Sequence, residues 1–236
     1  MPANELSREW YETFLDPIPA ELTESEVAWI ERQAPPGQFP RVLDVCCGPG
    51  RHTAALALRG YQVLGVDANG DALARAVLSA PRAAAFRRLD MRSLDSLAES
   101  FDLITNLWHS FGYFDDAGNA DVLRQMGARL RVGGRLLIDL YNRDHIATLP
   151  LVESYERGGR RVASRRSWDG PRHRVELEYE GGGRDEVEFR LYDPAEFAAL
   201  ARGAGLGPKL ACAWFRESLV PSAEHARMQF VLAPEP

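Results

Sequence analysis

The sequence predicts an α/β fold in which a mostly parallel sheet carries helices on both faces and a small antiparallel β insertion follows. From residue 41 onward, short apolar runs that fit strands alternate with segments of helical length and composition. This alternation is typical of parallel sheets, because each crossover between parallel strands needs a long connection. After about residue 150 the pattern changes to polar–apolar alternation between glycine-rich turns, which indicates antiparallel strands.

The individual elements follow from periodicity and from capping and breaking residues. Helices are predicted at residues 5–15, 24–33, 53–59, 72–78, 120–130 and 194–203. Strands are predicted at residues 42–46, 61–66, 84–89, 101–107, 135–141, 160–167, 174–180, 186–191, 210–215 and 227–232. Thr23 or Ser25 is a candidate N-cap of the second helix, because a hydroxyl accepts hydrogen bonds from first-turn amides. The pair Gly133-Gly134 is expected to stop the fifth helix.

The length of 236 residues fits a single domain with enough chain to bury a sizeable core. We divide residues 1–236 of this domain into four parts. They are an N-terminal helical cap (1–37), a ligand-binding core (38–144), a β-rich insertion or lid (145–192), and a C-terminal helix with a sheet-completing hairpin (193–236).

Composition and charge narrow the setting in which the chain works. The net charge of −6 argues against a dedicated nucleic-acid binder, because phosphate backbones attract basic surfaces. The three cysteines, Cys46, Cys47 and Cys212, show neither metal-ligand spacing nor a disulfide pattern, so we expect a cytoplasmic protein without a metal site. No apolar run approaches the roughly 18 residues of a membrane span, and we expect no membrane association.

The strongest functional signal is a glycine turn between the first predicted strand and the following helix, in the segment VLDVCCGPGRHT at 42–53. Glycine lets the backbone approach a ligand closely. A dinucleotide site needs the pattern Gly-x-Gly-x-x-Gly, and Thr53 occupies the third glycine position. Asp44, four residues before Gly48, is instead typical of S-adenosylmethionine sites. The pattern Gly48-x-Gly50 taken alone is also compatible with an ordinary strand-to-helix turn.

Two further aspartates follow the next two predicted strands. Asp67 ends the second strand, where a carboxylate accepts hydrogen bonds from ribose hydroxyls in nucleotide sites. Asp90 follows the third strand. Each aspartate alone is also explained as a turn or helix cap. Acidic residues at three successive strand ends nevertheless predict one ligand crevice, because these ends meet at the same edge of the sheet. We expect Asp67→Ala to weaken binding of the ligand without unfolding the protein.

The sequence blocks LDVCCGPGRHT, GVDAN, LDMRSL, FDLITNLWHSFGYF and LRVGGRLLID, in this order, resemble those of bacterial class I S-adenosylmethionine-dependent methyltransferases. The resemblance covers roughly residues 10–140 and 190–233. It implies a Rossmann-like, seven-stranded, three-layer αβα fold, the cofactor S-adenosylmethionine and the product S-adenosylhomocysteine. It also implies roles for individual residues. The methionine part of the cofactor would lie at Asp44, Cys47, Gly48 and Gly50, and its sulfonium would lie at Asn106 and Leu107. The ribose would lie at Asp67 and Ala68, and the adenine at Asp90 and Met91. Tyr11 would cover the bound cofactor.

On the acceptor side, the segment after the fourth strand contains His109 and Tyr113. His109 is a candidate base that titrates near neutrality, and Tyr113 is a candidate for orienting the acceptor. Surface, capping or packing roles remain open for both. Residues 157–174 of the insertion carry seven arginines, which suit either an acidic substrate or RNA phosphate, or form a solvated strand surface, because acidic residues are interleaved. We expect the insertion to govern acceptor choice and not cofactor affinity.

Taken together, the sequence predicts metal-free methyl transfer to a nitrogen or oxygen atom of a small-molecule acceptor by a monomer or homodimer. Three alternatives remain: a methyltransferase acting on RNA or protein, a non-catalytic S-adenosylmethionine-binding module, and an oxidoreductase that uses NAD. Thr53 disfavours the last of these.

Overall fold

The central feature of the computed structural model, which describes residues 4–78 and 80–235, is a seven-stranded sheet. Its strand order is β10-β11-β5-β4-β1-β2-β3. The strands are β1 (Arg41–Val45), β2 (Gln62–Asp67), β3 (Ala84–Arg88), β4 (Phe101–Asn106), β5 (Leu130–Tyr141), β10 (Leu206–Ala213) and β11 (Arg227–Pro234). The first five are parallel, and β11 pairs antiparallel with both β5 and β10. The predicted fold class is therefore confirmed.

Helices cover both faces of this sheet. They are α1 (Arg8–Phe14), α2 (Ala20–Gln33), α3 (Arg51–Leu58), α4 (Gly70–Leu78), α5 (Asp116–Ala128), α6 (Arg143–Ile146) and α7 (Pro194–Gly203), with a 3₁₀-helix at Met91–Ser96. Successive residues of β1 point to opposite faces, so Val42 packs into one core and Leu43 into the other. Because β1 is central and covered on both sides, four of its five residues are buried. None of the helices in the described ranges is long and apolar enough to cross a membrane.

A second sheet of four antiparallel strands forms the insertion. Its order is β6 (Val152–Arg157), β7 (Arg160–Asp169), β8 (Arg172–Tyr179) and β9 (Arg184–Arg190). One face is apolar and packs against α1 and the segment after β4, through Val162, Leu177 and Phe189. Gly112 joins the two sheets, because its carbonyl accepts from Arg190 N at 2.7 Å and a Cβ would lie 2.4 Å from Arg190 O. Its φ of +102° also favours glycine.

Several predicted boundaries differ from the structure. Helix α2 begins at Ala20 after an N-cap Pro19, so the expected cap at Thr23 or Ser25 is wrong. Helix α5 begins at Asp116, capped by Asp115, and ends before β5, which itself contains Gly133 and Gly134. Strand β6 was not predicted. Residues 1–3 of the expected cap, residue 79 and residue 236 of the expected hairpin lie outside the described residues.

Candidate functional site

One cavity of about 1800 Å³ lies at the carboxyl ends of the parallel strands and extends beneath the second sheet. Open α/β sheets bind ligands at this edge, where the strand order changes direction, here between β1 and β4. Single small-molecule pockets usually measure about 300–1,000 Å³, so this space accommodates two ligands. We call the part at Asp44, Gly48, Asp67 and Asp90 the glycine-loop side. The part bounded by Trp10, Tyr113, Tyr141, Tyr155, His173 and Phe189 is the aromatic chamber.

The glycine turn is fixed by buried hydrogen bonds. Asp44 is only 2% exposed, and its carboxylate accepts from the hydroxyls of Thr53 at 2.6 Å and Thr105 at 2.8 Å. Gly50 has a φ of +83°, and a Cβ there would lie 2.9 Å from Ala76, so packing against α4 requires this glycine. Gly48 instead has no atom within 4 Å of the Cβ position and lines the cavity. The predicted site residues Cys47 and Gly48 thus line the wall, whereas Gly50 supports it from behind.

Asp67 links the turn to the end of β2. One carboxylate oxygen accepts from Gly48 N at 2.8 Å, and the other accepts from Asn69 N at 2.8 Å. Burial raises the pKa of this carboxyl, while the backbone hydrogen bonds oppose that shift. Each oxygen keeps a second lone pair for a ligand hydroxyl. Asp67→Ala is still expected to leave the protein folded, but at a cost in stability, because two backbone amides depend on this side chain.

The third strand end contributes Asp90 and Met91, and both line the cavity. Asp90 caps the following 3₁₀-helix by accepting from Arg92 N at 2.8 Å, and it also pairs with the Arg92 guanidinium. This hydrogen-bonded pair holds the pKa of Asp90 below its usual value. Met91 is 5% exposed, and its sulfur lies 3.6 Å from the thiol of Cys46. The end of the third strand therefore presents an apolar surface at Met91 and a half-buried carboxylate at Asp90 to the cavity.

Asn106 and Leu107 end β4 but face different surroundings. Leu107 lines the cavity. Asn106 is fully buried, donates to Val45 O at 3.1 Å and is absent from the cavity wall. Its Oδ1 atom has no hydrogen-bond partner in the described structure. The predicted contact of Asn106 with a ligand is corrected to a supporting contact between β4 and β1.

The turn after β4 holds two consecutive non-glycine residues in the left-handed region, Trp108 at φ 59° and His109 at φ 61°. Such backbone costs energy and persists where neighbours fix it. Asp139 does so here, because its carboxylate accepts from Trp108 N at 3.0 Å and its carbonyl accepts from His109 N at 3.2 Å. The imidazole of His109 lines the cavity and stacks on Tyr141 with ring centroids 3.4 Å apart.

The protonation state of His109 differs from the sequence expectation. Burial lowers its pKa to about 3, so the ring is neutral near pH 7 and the predicted titration near neutrality is wrong. Nδ1 is enclosed by protein and has no hydrogen-bond partner among residues 4–78 and 80–235. Because an enclosed N–H without an acceptor is rarer than an unsatisfied lone pair, the proton belongs on Nε2. His109 then acts toward the cavity as a hydrogen-bond donor and not as a base.

A buried ionic network packs against this turn, and the sequence did not predict it. Glu26 of α2 is fully buried and accepts from Arg51, His52, Trp108 and Arg227 at 2.8–3.2 Å. Burial alone would raise the pKa of Glu26, but the hydrogen bond with His52 and the charges of Arg51 and Arg227 hold it well below its usual value. Arg227 also pairs with Asp139. The sequence feature that could have indicated this network is a single carboxylate within an apolar run. Glu26 in SEVAWI and Asp139 in LLIDLY are the two examples.

Tyr113 and the second sheet form the aromatic chamber. Tyr113 stacks on Phe189 at 5.5 Å, and burial raises the pKa of its hydroxyl. Helix α1 closes the cavity from the other side. Tyr11 lines it, and its hydroxyl accepts from Asn69 Nδ2 at 3.1 Å, next to Asp67. Ala68, the remaining predicted site residue, also lies on the wall.

Comparisons with known proteins agree with this architecture. Residues 42–134 match the family model of a methyltransferase domain. The Bacillus subtilis protein "Putative methyltransferase YqeM" is 28% identical over 122 residues, which are 50% of this chain and 49% of that protein. The chain covers 49%, 22% and 58% of the length of three curated relatives that it matches.

Two solved structures share the fold over almost the whole chain. An S-adenosylmethionine-dependent methyltransferase from Clostridium acetobutylicum superposes with a TM-score of 0.81 at 14% identity, covering 97% of both chains. The sugar N-methyltransferase KedS8 from a Streptoalloteichus species superposes with a TM-score of 0.70 at 24% identity, covering 98% of this chain and 94% of that one. At these identities the likeness establishes a common fold.

Proposed function

We propose that the chain is a class I S-adenosylmethionine-dependent methyltransferase that methylates a nitrogen or oxygen atom of a small-molecule acceptor. The observation that carries this proposal is the single cavity in which the glycine-loop side is continuous with the aromatic chamber. Two ligands fit it side by side, as group transfer between them requires. S-Adenosylhomocysteine would be the product that leaves the glycine-loop side.

The charges of the glycine-loop side fit a cationic cofactor. Asp44 and Asp67 line it, and both carboxylates accept hydrogen bonds only from hydroxyls or amides within the described structure. Of the arginines that also line this side, Arg75 and Arg92 are paired with aspartates, whereas Arg88 is exposed and donates to a backbone carbonyl. S-Adenosylmethionine carries a sulfonium and an ammonium group, which this negative surface attracts. The pyrophosphate of NAD would be repelled, in agreement with the missing third glycine.

Individual residues have separate tasks in binding this cofactor. The free lone pairs of Asp67 would accept the ribose hydroxyls, while Ala68 and Tyr11 would cover the ribose. Asp90 and Met91 would hold the adenine, and Asp44, Cys47 and Gly48 would surround the methionine part. When bound, the cofactor supplies an electrophilic methyl group on a positively charged sulfur. Leu107 and the chamber residues would exclude water and align the acceptor atom with that methyl group.

Nitrogen is the acceptor atom that the site serves better. An alcohol or phenol must lose its proton to a base, whereas a neutral amine already presents a lone pair. His109 has a pKa of about 3, and its cavity-facing nitrogen is assigned as a donor. Burial raises the pKa of the Tyr113 hydroxyl and of the Cys46 thiol, which makes both poor bases at neutral pH. The structural neighbour KedS8, described as a sugar N-methyltransferase, also supports nitrogen.

Calorimetric titration tests the cofactor assignment directly. We expect S-adenosylmethionine and S-adenosylhomocysteine to bind, and NAD to bind at least about tenfold more weakly, because the glycine turn lacks the third glycine of a pyrophosphate site. A stopped assay of S-adenosylhomocysteine release with pooled small amines then tests methyl transfer. Tighter binding of NAD than of S-adenosylmethionine would overturn the assignment.

A further inference from the structure

The wall that the second sheet gives to the cavity is apolar. Val175, Leu177, Val187 and Phe189 project from β8 and β9 into the aromatic chamber, and Tyr155 of β6 lies beside them. Phe14 and Trp10 of α1 face the same space. Burying apolar and aromatic surface against such a wall stabilises a bound ligand, because that surface leaves water. The bulk of a well-matched ligand is therefore apolar or aromatic.

The arginines of the insertion do not give this chamber an excess of positive charge. Seven of the insertion's nine arginines form ion pairs: Arg160 with Glu9 and Glu12, Arg165 with Glu176, Arg166 with Glu153, Arg172 with Glu188, Arg174 with Glu186 and Glu188, Arg184 with Glu178, and Arg190 with Asp116 and Glu196. Only two, Arg157 and Arg166, line the cavity among the described residues. Arg157 has no ion pair among the described residues, but it lies exposed beside Glu156 at the end of β6, so a phosphate bound against the apolar wall would lose hydration without gaining a compensating charge there.

The polar groups of the chamber include tyrosine hydroxyls, which donate and accept, and two imidazoles that offer hydrogen-bond donors. His173 is 4% exposed and packs on Trp168 with ring centroids 4.4 Å apart. Its Nε2 atom is enclosed without a partner, which places the ring proton on Nδ1, the nitrogen left to the chamber. Burial and the neighbouring Arg166 lower the pKa of His173 to about 4, so the ring stays neutral. With His109, two imidazole N–H groups are available to a ligand that offers oxygen acceptors.

Resting on the proposed methyl transfer, the geometry points to a specific acceptor class: an uncharged amine with an aromatic or apolar body that carries at least one neutral oxygen acceptor. The amine nitrogen attacks the methyl carbon, and the carbon–sulfur bond breaks with its electron pair going to sulfur. The resulting ammonium group releases one proton to water. The ligand oxygen accepts from His173 or His109. Nucleoside-diphosphate sugars and free polar sugars are excluded from this class.

The test compares four amine probes in an assay of S-adenosylhomocysteine release at about pH 9, with kcat/KM expressed per concentration of neutral amine, because aliphatic amines are mostly protonated near pH 7. They are 4-methoxyphenethylamine, phenethylamine, glucosamine and a thymidine-diphosphate amino sugar. We expect the order of kcat/KM to be 4-methoxyphenethylamine, then phenethylamine, then the two sugars. The methoxy oxygen is worth about tenfold, the value of one buried neutral hydrogen bond. Faster turnover of either sugar probe than of both aromatic amines would overturn the acceptor class.

A variant of His173 tests whether this residue donates to the methoxy oxygen of the ligand. His173→Phe keeps the ring packing on Trp168 and removes the N–H group, so it should abolish the preference for 4-methoxyphenethylamine over phenethylamine. His225→Phe, a change outside the cavity, should leave that preference intact. A full preference in His173→Phe contradicts the His173 contact.

Calorimetry with S-adenosylmethionine on the same samples separates the two levels of the proposal. Cofactor binding without methylation of either aromatic amine overturns the acceptor class alone. Absence of cofactor binding by the wild-type protein overturns the proposed function instead.

Discussion

At the scale of single residues, Asp67 combines two tasks in one carboxylate. It accepts from the amides of Gly48 and Asn69, and by our proposal it also accepts from the ribose of the cofactor. Strand position alone suggested the second task, while the first depends on how the turn after β1 folds against β2. A substitution here therefore affects both ligand affinity and stability, and the two effects need separate measurement.

We predict that Asp67→Ala weakens S-adenosylmethionine binding about ten- to a thousandfold, because two charge-assisted hydrogen bonds to the ribose are lost. We also predict a loss of about 1–3 kcal/mol in the free energy of unfolding, since two amides lose their acceptor. Asp115→Ala is the matched control: it removes the N-cap of α5, away from the cavity, and should cost about 0.5–2 kcal/mol of stability only. Calorimetry measures the cofactor affinity of both variants, and denaturant unfolding measures their free energy of unfolding. Wild-type affinity in Asp67→Ala would show a purely structural carboxylate.

Arg227 is the second residue whose role depends on burial. It lies between two carboxylates, Glu26 and Asp139, and its guanidinium stacks over Trp108 at 5.1 Å. We predict that Arg227→Met lowers the free energy of unfolding by about 3–5 kcal/mol, because two buried carboxylates lose a counter-ion. Arg32→Met removes an exposed pair with Glu217 and should cost about 0–1 kcal/mol. Urea unfolding measures both, and equal losses would refute the importance of burial.

At the scale of elements, α1 connects the insertion to the glycine-loop side. Ser7 at its N-terminus donates from its amide and its hydroxyl to Asp185 of β9, at 2.8 and 2.6 Å. Arg160 of β7 pairs with Glu9 and Glu12 of α1. The same helix carries Tyr11 to Asn69, next to Asp67. The expectation that the insertion leaves cofactor affinity unaffected is therefore revised, because the insertion holds the helix that covers the proposed ribose site.

We predict that Asp185→Ala frees α1 and weakens S-adenosylmethionine binding several-fold, in the range of one or two lost hydrogen bonds. Hydrogen exchange of the α1 amides should become faster, because local opening of this short helix costs less energy. Asp169→Ala, at the exposed end of β7, is the control and should change neither quantity. If α1 exchanges faster while the affinity stays at the wild-type value, the link between α1 and the cofactor is disproved.

At the scale of the whole molecule, two neutral buried histidines make stability depend on pH. The pKa values of His109, about 3, and His173, about 4, are below the usual value of 6.5 in an unfolded chain. At a pH between the folded-state pKa of each histidine and its unfolded-state pKa, the unfolded state binds more protons than the folded state. Stability is therefore lost as the pH falls through this range. The loss begins at pH 6.5 and continues down to about pH 3–4.

We predict that lowering the pH from 7 to 5 costs about 1–2 kcal/mol of unfolding free energy for each of these histidines. Denaturant unfolding at several pH values measures the slope. In His173→Phe the slope should fall by roughly half, because one of the two protonation sites is gone. An unchanged slope would mean that His173 is protonated as readily in the folded state as in the unfolded state.

The sequence by itself determined the features that depend on local pattern. The strand–helix alternation, the glycine turn and the aspartates at three strand ends specified the parallel core. They also brought Asp44, Asp67 and Asp90 to one edge, because carboxyl ends of parallel strands meet there. These features follow from near neighbours in the chain and from the period of apolar residues.

Only the tertiary structure decided which side chains face the cavity and in what charge state. Asn106 and His109 lie three residues apart, yet Asn106 is enclosed between strands while His109 reaches the cavity with a pKa of about 3. Likewise, Glu26 and Arg227 are 201 residues apart, so no local pattern could pair them. Burial and long-range ion pairing arise from the packing of distant elements, and the sequence pattern of one segment contains neither.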